Sequence, residues 1–588
     1  MSQPIISKVL RPADLTPNLM DYTSLRARFS WEAARASFAG LPQNRGLNMA
    51  YEAVDRHVME GSGHRVALRW LSKAGQVRDY TYAELQALSN RFANVLHALG
   101  LAKGDRVCTL SGRIPVFYIT ALGTLKSGGA FCPLFAAYGP EPIKTRLEKA
   151  KARVLVTTQA LYERKVAPLL DSLPMLRHVI VVRESAGGSL PAGTHDFDDL
   201  LQKASDQFTI SATNANDRAL VHFTSGTTGT PKGAIHGHGA VIAHHTTAKL
   251  ALDLHPEDVF WCTADPGWIT GTVYGIFAPL TVGATVLVDE ADFDWERWCR
   301  VLHEQRVGVW YTTPTAARFM QRLGIAYIRQ HRIHNLRFLA TVGEPLHPET
   351  VYWSQEAFGR PFHDNWWQTE TGTIMIANFA ALDIKPGSMG NPVPGIEAAI
   401  VRRVAENAVE CLQAPGQVGE LAFRGGWPSM FQGYLDDDAR FRRCFAAGWY
   451  LSGDLARRDE DGYFWFVGRS DEVIKTSGHL IGPVEVETTL MAHPAVAETA
   501  VIGVPDPVAL EVVKAFVVPN AGYDPDQALR RELLAYGRKC LGPGVAPKII
   551  EFRQDLPKTS SGKILRRQLK AETGLTSQKE QAVPDEHA

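Results

Sequence analysis

The sequence predicts an α/β protein: a large N-terminal domain of layered sheets and helices, followed by a small α+β C-terminal domain. Three observations predict it. The chain has 588 residues, more than one hydrophobic core accommodates. Short runs rich in Val, Ile and Leu alternate with helical stretches, as buried parallel strands do between crossover helices. After residue 471 the alternation restarts on a smaller scale.

The elements follow in chain order. Residues 81–100 read as a helix. Thr81 and Glu84 form a capping-box pattern, Leu85, Leu88, Phe92, Val95, Leu96 and Leu99 share one face, and Gly100 is placed to end it. Buried strands are expected at 154–156, 179–182, 219–223, 286–288 and 307–310, with a helix at 295–306. A strand at 462–467 enters a turn at 468–471, which sets the domain boundary at 470/471. The small domain, 471–575, reads as a helix at 484–491 and strands at 500–503 and 512–518. The tail 576–588 is polar and expected to be disordered.

Bulk chemistry narrows the function. Lys and Arg number 62, as do Asp and Glu, so the formal net charge is zero and no nucleic-acid or anionic-membrane partner is expected. No run of about 18 apolar residues suggests a membrane span, and the opening MSQPIISKVLRPADL lacks the apolar core of a signal peptide. Seven cysteines without a CxxC pair fit reduced thiols in a cytoplasmic enzyme rather than a disulfide framework or zinc ribbon.

The most informative segment is Thr224-Ser225-Gly226-Thr227-Thr228-Gly229-Thr230-Pro231-Lys232-Gly233, directly after an apolar strand. Polyphosphate demands close backbone approach, many donors and a cation. Gly226, Gly229 and Gly233 permit the approach, the hydroxyl residues donate, and Lys232 carries the charge. The spacing is not that of a Walker A loop.

Residues 225–233 resemble the signature of the adenylate-forming superfamily, and the similarity runs from about residue 26 to 569. Residues 48–57 (NMAYEAVDRH), 261–279 (WCTADPGWITGTVYGIFAP), 342–346 (VGEPL) and 366–372 (WWQTETG) resemble acetyl-CoA synthetases in particular. The resemblance implies an acyl-adenylate-forming domain at 1–470 and a mobile domain at 471–575. It implies ATP and CoA as co-substrates, Mg2+ as cofactor, and acetate as the acid. Propionate or another short or medium-chain acid is the alternative.

The resemblance also assigns residues. Gly343, Glu344 and Pro345 match the adenine wall, Asp454 the carboxylate that accepts both ribose hydroxyls, and Arg469 the second ribose contact. Trp366 and Gln368 belong to the same nucleotide site, with Thr369 as α-phosphate donor and Glu370 as the Mg2+ ligand. Trp367 matches the wall that truncates the acyl pocket, beside Ile269, Thr270 and Val342; core packing of the two tryptophans is compatible with that role. In 557–563 (PKTSSGK), Lys563 matches the catalytic lysine, and its acetylation would remove the charge. Asp471 matches a hinge, Ser477 and Gly478 a pantetheine passage, and Arg538 a CoA phosphate contact. Leu480 departs from the pattern, since the family usually carries Arg there. That departure raises the reading of a non-catalytic nucleotide-binding relative, which the retention of Lys563, Glu370 and Asp454 opposes.

Two further groups read as structural. His236, His238, His244 and His245 are expected in polar turns near the phosphate loop rather than on a metal. Arg566, Arg567 and Lys570 are expected on a solvated helix face.

Overall fold

Strand formation follows the Val/Ile/Leu runs. The computed structural model describes residues 4–8, 15–184, 189–224, 231–470, 472–476, 479–506, 509–558 and 564–573, with backbone alone at 475, 479 and 480. Two units emerge, Met1–Ala398 with Phe423–Tyr450, and Ala399–Ala422 with Leu451–Ala588. Position 470/471 falls inside the second unit. The tail 576–588 lies outside the described residues.

The first unit carries two mixed sheets. Among the described residues one has eight strands, in the order Gly433–Tyr434, Lys232–Gly237, Arg218–Thr224, Ala130–Leu134, Arg106–Leu110, Val154–Thr158, His178–Val182 and His195–Asp196. It is parallel from Arg218–Thr224 onward and antiparallel at its first two strands. The other has nine strands, with a parallel centre running Phe362–Trp366, Phe338–Thr341, Val309–Thr312, Val259–Cys262, Thr285–Asp289 and Val66–Leu71.

One core joins the two sheets: Leu68, Val286 and Val288 from one, Val107, Phe131, Val154 and Leu220 from the other. Leu85, Phe92, Leu122 and Leu125 of the helices Tyr82–Ala98 and Pro115–Lys126 fill the space between. The first helix has both hydrogen bonds of the capping box between Thr81 and Glu84. The expected strand at 307–310 begins two residues later, at Val309–Thr312. Val307 is buried in the preceding turn, its N–H donating to Leu302 O (3.2 Å), so its apolarity reports burial and not pairing.

In the second unit, among the described residues, five strands form a sheet around Val496–Asp506 and Leu510–Pro519, with Ile549–Phe552 parallel to the latter. The helices Pro483–Met491 and Gln527–Leu541 cover it through Val486, Leu490, Leu529 and Leu533.

Three segments singled out in the sequence leave the carboxyl ends of parallel strands: 225 onward after Arg218–Thr224, 342–346 after Phe338–Thr341, and 367–373 after Phe362–Trp366. Open α/β sheets bind ligands at that edge.

A buried ion pair locks three helical segments of this unit together. Lys126 is fully buried, and its Nζ lies 2.8 Å from Asp55 Oδ2 and donates to Asn90 Oδ1 at 2.8 Å. It thereby ties Pro115–Lys126 to the helical turn Tyr51–Asp55 and to Tyr82–Ala98. Burial lowers the Lys126 pKa, and the Asp55 carboxylate opposes that shift. Lys126→Met strands the carboxylate and is expected to destabilise by about 3–5 kcal/mol in urea unfolding. The double variant with Asp55→Asn should recover most of the loss.

Candidate active site

The phosphate-loop candidate is the connection of an antiparallel hairpin, with Thr224 and Lys232 as Cα partners. Ser225, Gly226, Thr227, Thr228 and Gly229 lie outside the described residues. The loop is therefore known by its two anchors. Gly233 differs from expectation: a Cβ there would sit 2.7 Å from Leu435 Cδ1 and 3.2 Å from the Phe223 ring, so its bareness serves packing and not phosphate approach.

Pairing of Gly433–Tyr434 with Lys232–Gly237 brings Tyr434 to the same place. The Lys232 ammonium lies 5.6 Å from the centroid of the Tyr434 ring, within cation–π range. The Tyr434 hydroxyl donates to Glu370 Oε1 at 2.7 Å. Burial, and then the Glu370 carboxylate, push the Tyr434 pKa up, which keeps the phenol neutral and a donor. Cation, phenol and carboxylate thus lie in a row. Tyr434 was not among the sequence candidates, because nothing local in Gly433-Tyr434-Leu435 signals a partner 64 residues away.

The segment 368–373 is a tight turn held from all sides. Thr371 Oγ1 accepts from Gln368 N–H (3.0 Å), and the Thr371 carbonyl accepts from Trp427 Nε1 and Ser429 Oγ, both at 2.8 Å. Gly372 has φ +70°, and a Cβ there would lie 2.3 Å from Ser429 O and 2.9 Å from the His236 ring. Gln368 Oε1 accepts from the Tyr450 hydroxyl at 2.8 Å. Thr369 and Glu370 are half-buried at the turn's outer edge.

The histidines correct the expectation of polar turns. His236 is buried in the strand Lys232–Gly237 and His244 in the helix Ala240–Leu250. His236 Nδ1 donates to Ser429 O and His244 Nε2 to Gly372 O, both at 3.0 Å; because carbonyls only accept, these partners assign the tautomers. Burial lowers the pKa of His236 to about 4 and of His238 and His244 to about 3. Apolar surroundings, invisible in an HxH or HH pair, override the polarity of the residue type.

The tryptophans face different partners. Trp366 stacks on Phe423 with ring centroids 5.1 Å apart. Trp367, 9% exposed, meets Tyr274 edge-on at 5.2 Å and donates its indole N–H to the Tyr311 hydroxyl at 3.2 Å. Tyr311 stands opposite Cys262 in the neighbouring strand, and Cys262 Sγ contacts Thr270 O at 3.9 Å. Ile269 and Thr270 begin the short helix Ile269–Thr272 and are half-buried, while Val342 is buried with its N–H on Thr312 O. Gly343 has φ +94° with open space where a Cβ would point. Beside it, Glu344 accepts from Thr315 Oγ1 (2.7 Å) and Arg318 Nη2 (3.1 Å), which fixes the turn leading to Pro345.

In the second unit, Asp454 and Arg469 are Cα partners on the antiparallel strands Trp449–Arg458 and Phe464–Arg469. Asp471, Ser477, Gly478 and Lys563 lie outside the described residues, as does the Leu480 side chain. Ser477 and Gly478 are flanked by the paired strands Ile474–Thr476 and His479–Ile481. Residues 559–563 are closed off by a bridge between Lys558 and Ile564 and by Leu565 N–H on Pro557 O (2.8 Å). Arg538 is exposed in the last turn of Gln527–Leu541. Arg566 overturns the solvated-face reading: it binds Glu487 at 2.7 Å and Glu472 at 3.1 Å, with 12% of its side chain exposed.

Residues 55–435 match the family described as AMP-binding enzyme, and 485–563 the AMP-binding enzyme C-terminal domain. The chain belongs to the AMP-binding enzyme family. Among curated relatives of this AMP-binding enzyme, the acetyl-coenzyme A synthetase of Bacillus subtilis (strain 168) is 44% identical, over 94% of this chain and 95% of that protein. The acetyl-coenzyme A synthetase of Methanothrix thermoacetophila is 38% identical over 89% and 82%. Of solved structures, the acyl-CoA synthetase of Brucella canis is 33% identical with a TM-score of 0.74, covering 95% of this chain and 99% of that one. The anthranilate CoA ligase AuaEII, in complex with anthranoyl-AMP, is 27% identical with a TM-score of 0.82, over 90% and 98%. No helix among the described residues is long and apolar enough to cross a membrane.

The neutral histidines carry a pH signature. A histidine whose folded pKa is depressed stabilises the fold above its unfolded value near 6.5 and loses that contribution as pH falls toward the folded value, about 3 for His244. His244→Gln keeps a donor for Gly372 O without titrating. The stability gap between wild type and variant is expected to narrow by about 1–2 kcal/mol between pH 7 and pH 5, read from thermal or urea unfolding. An unchanged gap would place His244 outside the buried, neutral state.

Proposed function

We propose that the chain is an ATP-dependent, AMP-forming acetate–CoA ligase acting in the cytoplasm. The observation that carries this reading is the 44% identity along 94% of the chain to an acetyl-coenzyme A synthetase. The immobilised Trp367 supports a small acid, and seven unpaired cysteines agree with a reducing compartment.

The reaction has two halves. A carboxylate oxygen attacks the α-phosphorus of ATP and pyrophosphate leaves, forming an acyl-adenylate. The sulfur of CoA then attacks the acyl carbonyl, its proton passes to solvent, and AMP leaves. No protein nucleophile is required, so the chain's work is binding and charge compensation. The hairpin loop 225–231 and Lys232 hold the phosphates, Thr369 donates to the α-phosphate, and Gln368, Trp366 and 343–345 hold the adenine. Asp454 and Arg469 take the ribose hydroxyls, the carboxylate's two oxygens matching a vicinal diol.

Glu370 fits Mg2+ as a single ligand. Its carboxylate is half-buried, with one oxygen on a neutral tyrosine, and a hard cation on phosphate oxygens needs one such group and not a cage. The ion would neutralise triphosphate charge. Lys563 grips the reacting carboxylate for the first half. A pivot at Asp471 then exchanges it for Ser477 and Gly478, which leave room for pantetheine, and Arg538 meets a CoA phosphate.

Trp367, with Ile269, Thr270 and Val342, closes the acyl pocket. Discrimination by one methylene amounts to about 1–3 kcal/mol, so propionate is accepted more slowly.

A panel of C1 to C6 carboxylates, read as AMP release with ATP, Mg2+ and CoA, tests the reading; acetate should lead, and a protein inert toward all short acids would refute it. Lys563→Ala should abolish adenylation yet spare thioester formation from supplied acetyl-AMP. Equal loss of both halves would remove Lys563 from its proposed role.

A further inference from the structure

An aromatic wall gauges chain length only as well as it is held. One methylene extends a chain by little more than an ångström, so an indole free to tilt by that distance measures nothing. Trp367 is held by a hydrogen-bonded series inside the first unit. Its Nε1–H donates to the Tyr311 hydroxyl (3.2 Å), that hydroxyl donates to Asn365 Oδ1 (2.9 Å), and Asn365 Nδ2 donates to Thr341 O (2.9 Å). Tyr311 is 0% exposed and Asn365 7%. A buried indole N–H without its acceptor loses a bond that water cannot replace, so the series admits one ring orientation.

The second restraint is steric. Tyr274 meets both Trp367 (5.2 Å, interplanar 80°) and Tyr311 (5.6 Å, 82°) edge-on. Its own hydroxyl is spent elsewhere, on Thr247 Oγ1 (2.8 Å) and Thr373 Oγ1 (2.9 Å), while accepting from Ile374 N–H (2.9 Å). The two tyrosines thus differ in one respect: only the hydroxyl of Tyr311 bonds the indole.

We propose that Tyr311 is a specificity-determining residue that acts by position, its hydroxyl fixing the Trp367 indole as the end stop of the acyl pocket. The proposal rests on the reading that Trp367 closes that pocket. Tyr311 sits on the strand Val309–Thr312 and Asn365 on Phe362–Trp366, so the end stop is referred to the parallel sheet and not to the turn at 368–373.

Tyr311→Phe removes the hydroxyl and keeps the ring. The propionate-to-acetate ratio of kcat/KM is expected to rise about 3- to 10-fold, the size of one hydrogen bond's net contribution. The change should fall mainly on KM for the longer acid. Tyr274→Phe deletes an equally buried hydroxyl that does not touch the indole, and should leave the ratio unchanged. Trp367→Gly separates the two levels of the argument. If it shifts preference toward longer acids while Tyr311→Phe does not, the end stop stands and Tyr311 does not set it. If Trp367→Gly leaves the profile unchanged, Trp367 is no end stop and the proposal falls with it. Equal shifts in Tyr274→Phe and Tyr311→Phe would mean general loosening and overturn the proposal. Should Tyr311→Phe fail to fold, the wild-type protein still decides. With 15N-labelled tryptophan, and the Trp367 signal assigned by its loss in Trp367→Phe, slow exchange of that indole N–H with solvent is expected. Exchange as fast as that of an exposed indole would refute the hydrogen bond.

Discussion

No side chain fits at Gly372. A Cβ there would collide with the Ser429 carbonyl and the His236 imidazole, in a backbone conformation that L-residues rarely adopt. That crowding makes 368–373 a fixed object. The residues on its outer edge, Gln368, Thr369 and Glu370, inherit their positions from it. The strand Lys232–Gly237 contributes His236 to the same clamp and Lys232 to the phosphate-loop candidate. The turn and the cation are therefore referred to one strand, and a displacement of either is felt by the other.

The clamp works with uncharged parts. His236 and His244 each offer one N–H to a carbonyl and stay neutral under burial. Lysines in the same places would bring charge into the core at a large desolvation cost. Imidazole supplies direction without charge. The same economy appears around the tryptophans, where neutral phenols and an amide carry the bonds.

Local signals were legible in the sequence. The helix capped by Thr81 and Glu84 needs nothing beyond its own residues, and the strand ahead of the loop at 224–233 follows from its apolar run, whereas the return strand that makes it a hairpin does not. Asp454 and Arg469 were singled out through resemblance alone, since fourteen intervening positions fold back before the two meet. What stayed hidden depends on distant neighbours. His236 finds its hydrogen-bond partner in Ser429, Tyr434 meets Glu370 across the fold, and Tyr311 is an ordinary strand tyrosine until residue 367 arrives beside it. Arg566 reads as one of a basic run until Glu472 and Glu487 close around it. Residue type and spacing report secondary structure, while partnership across the fold is set by packing.

Those two acids hold Arg566 unequally. Glu487 takes it with both carboxylate oxygens and Glu472 through a single one. Glu472 holds by the weaker of the two tethers, so a displacement of either acid breaks that bond first. The guanidinium can let go of that side and remain neutralised by the other, with no orphaned charge left behind. An asymmetric latch of this kind opens on one side without unfolding its post.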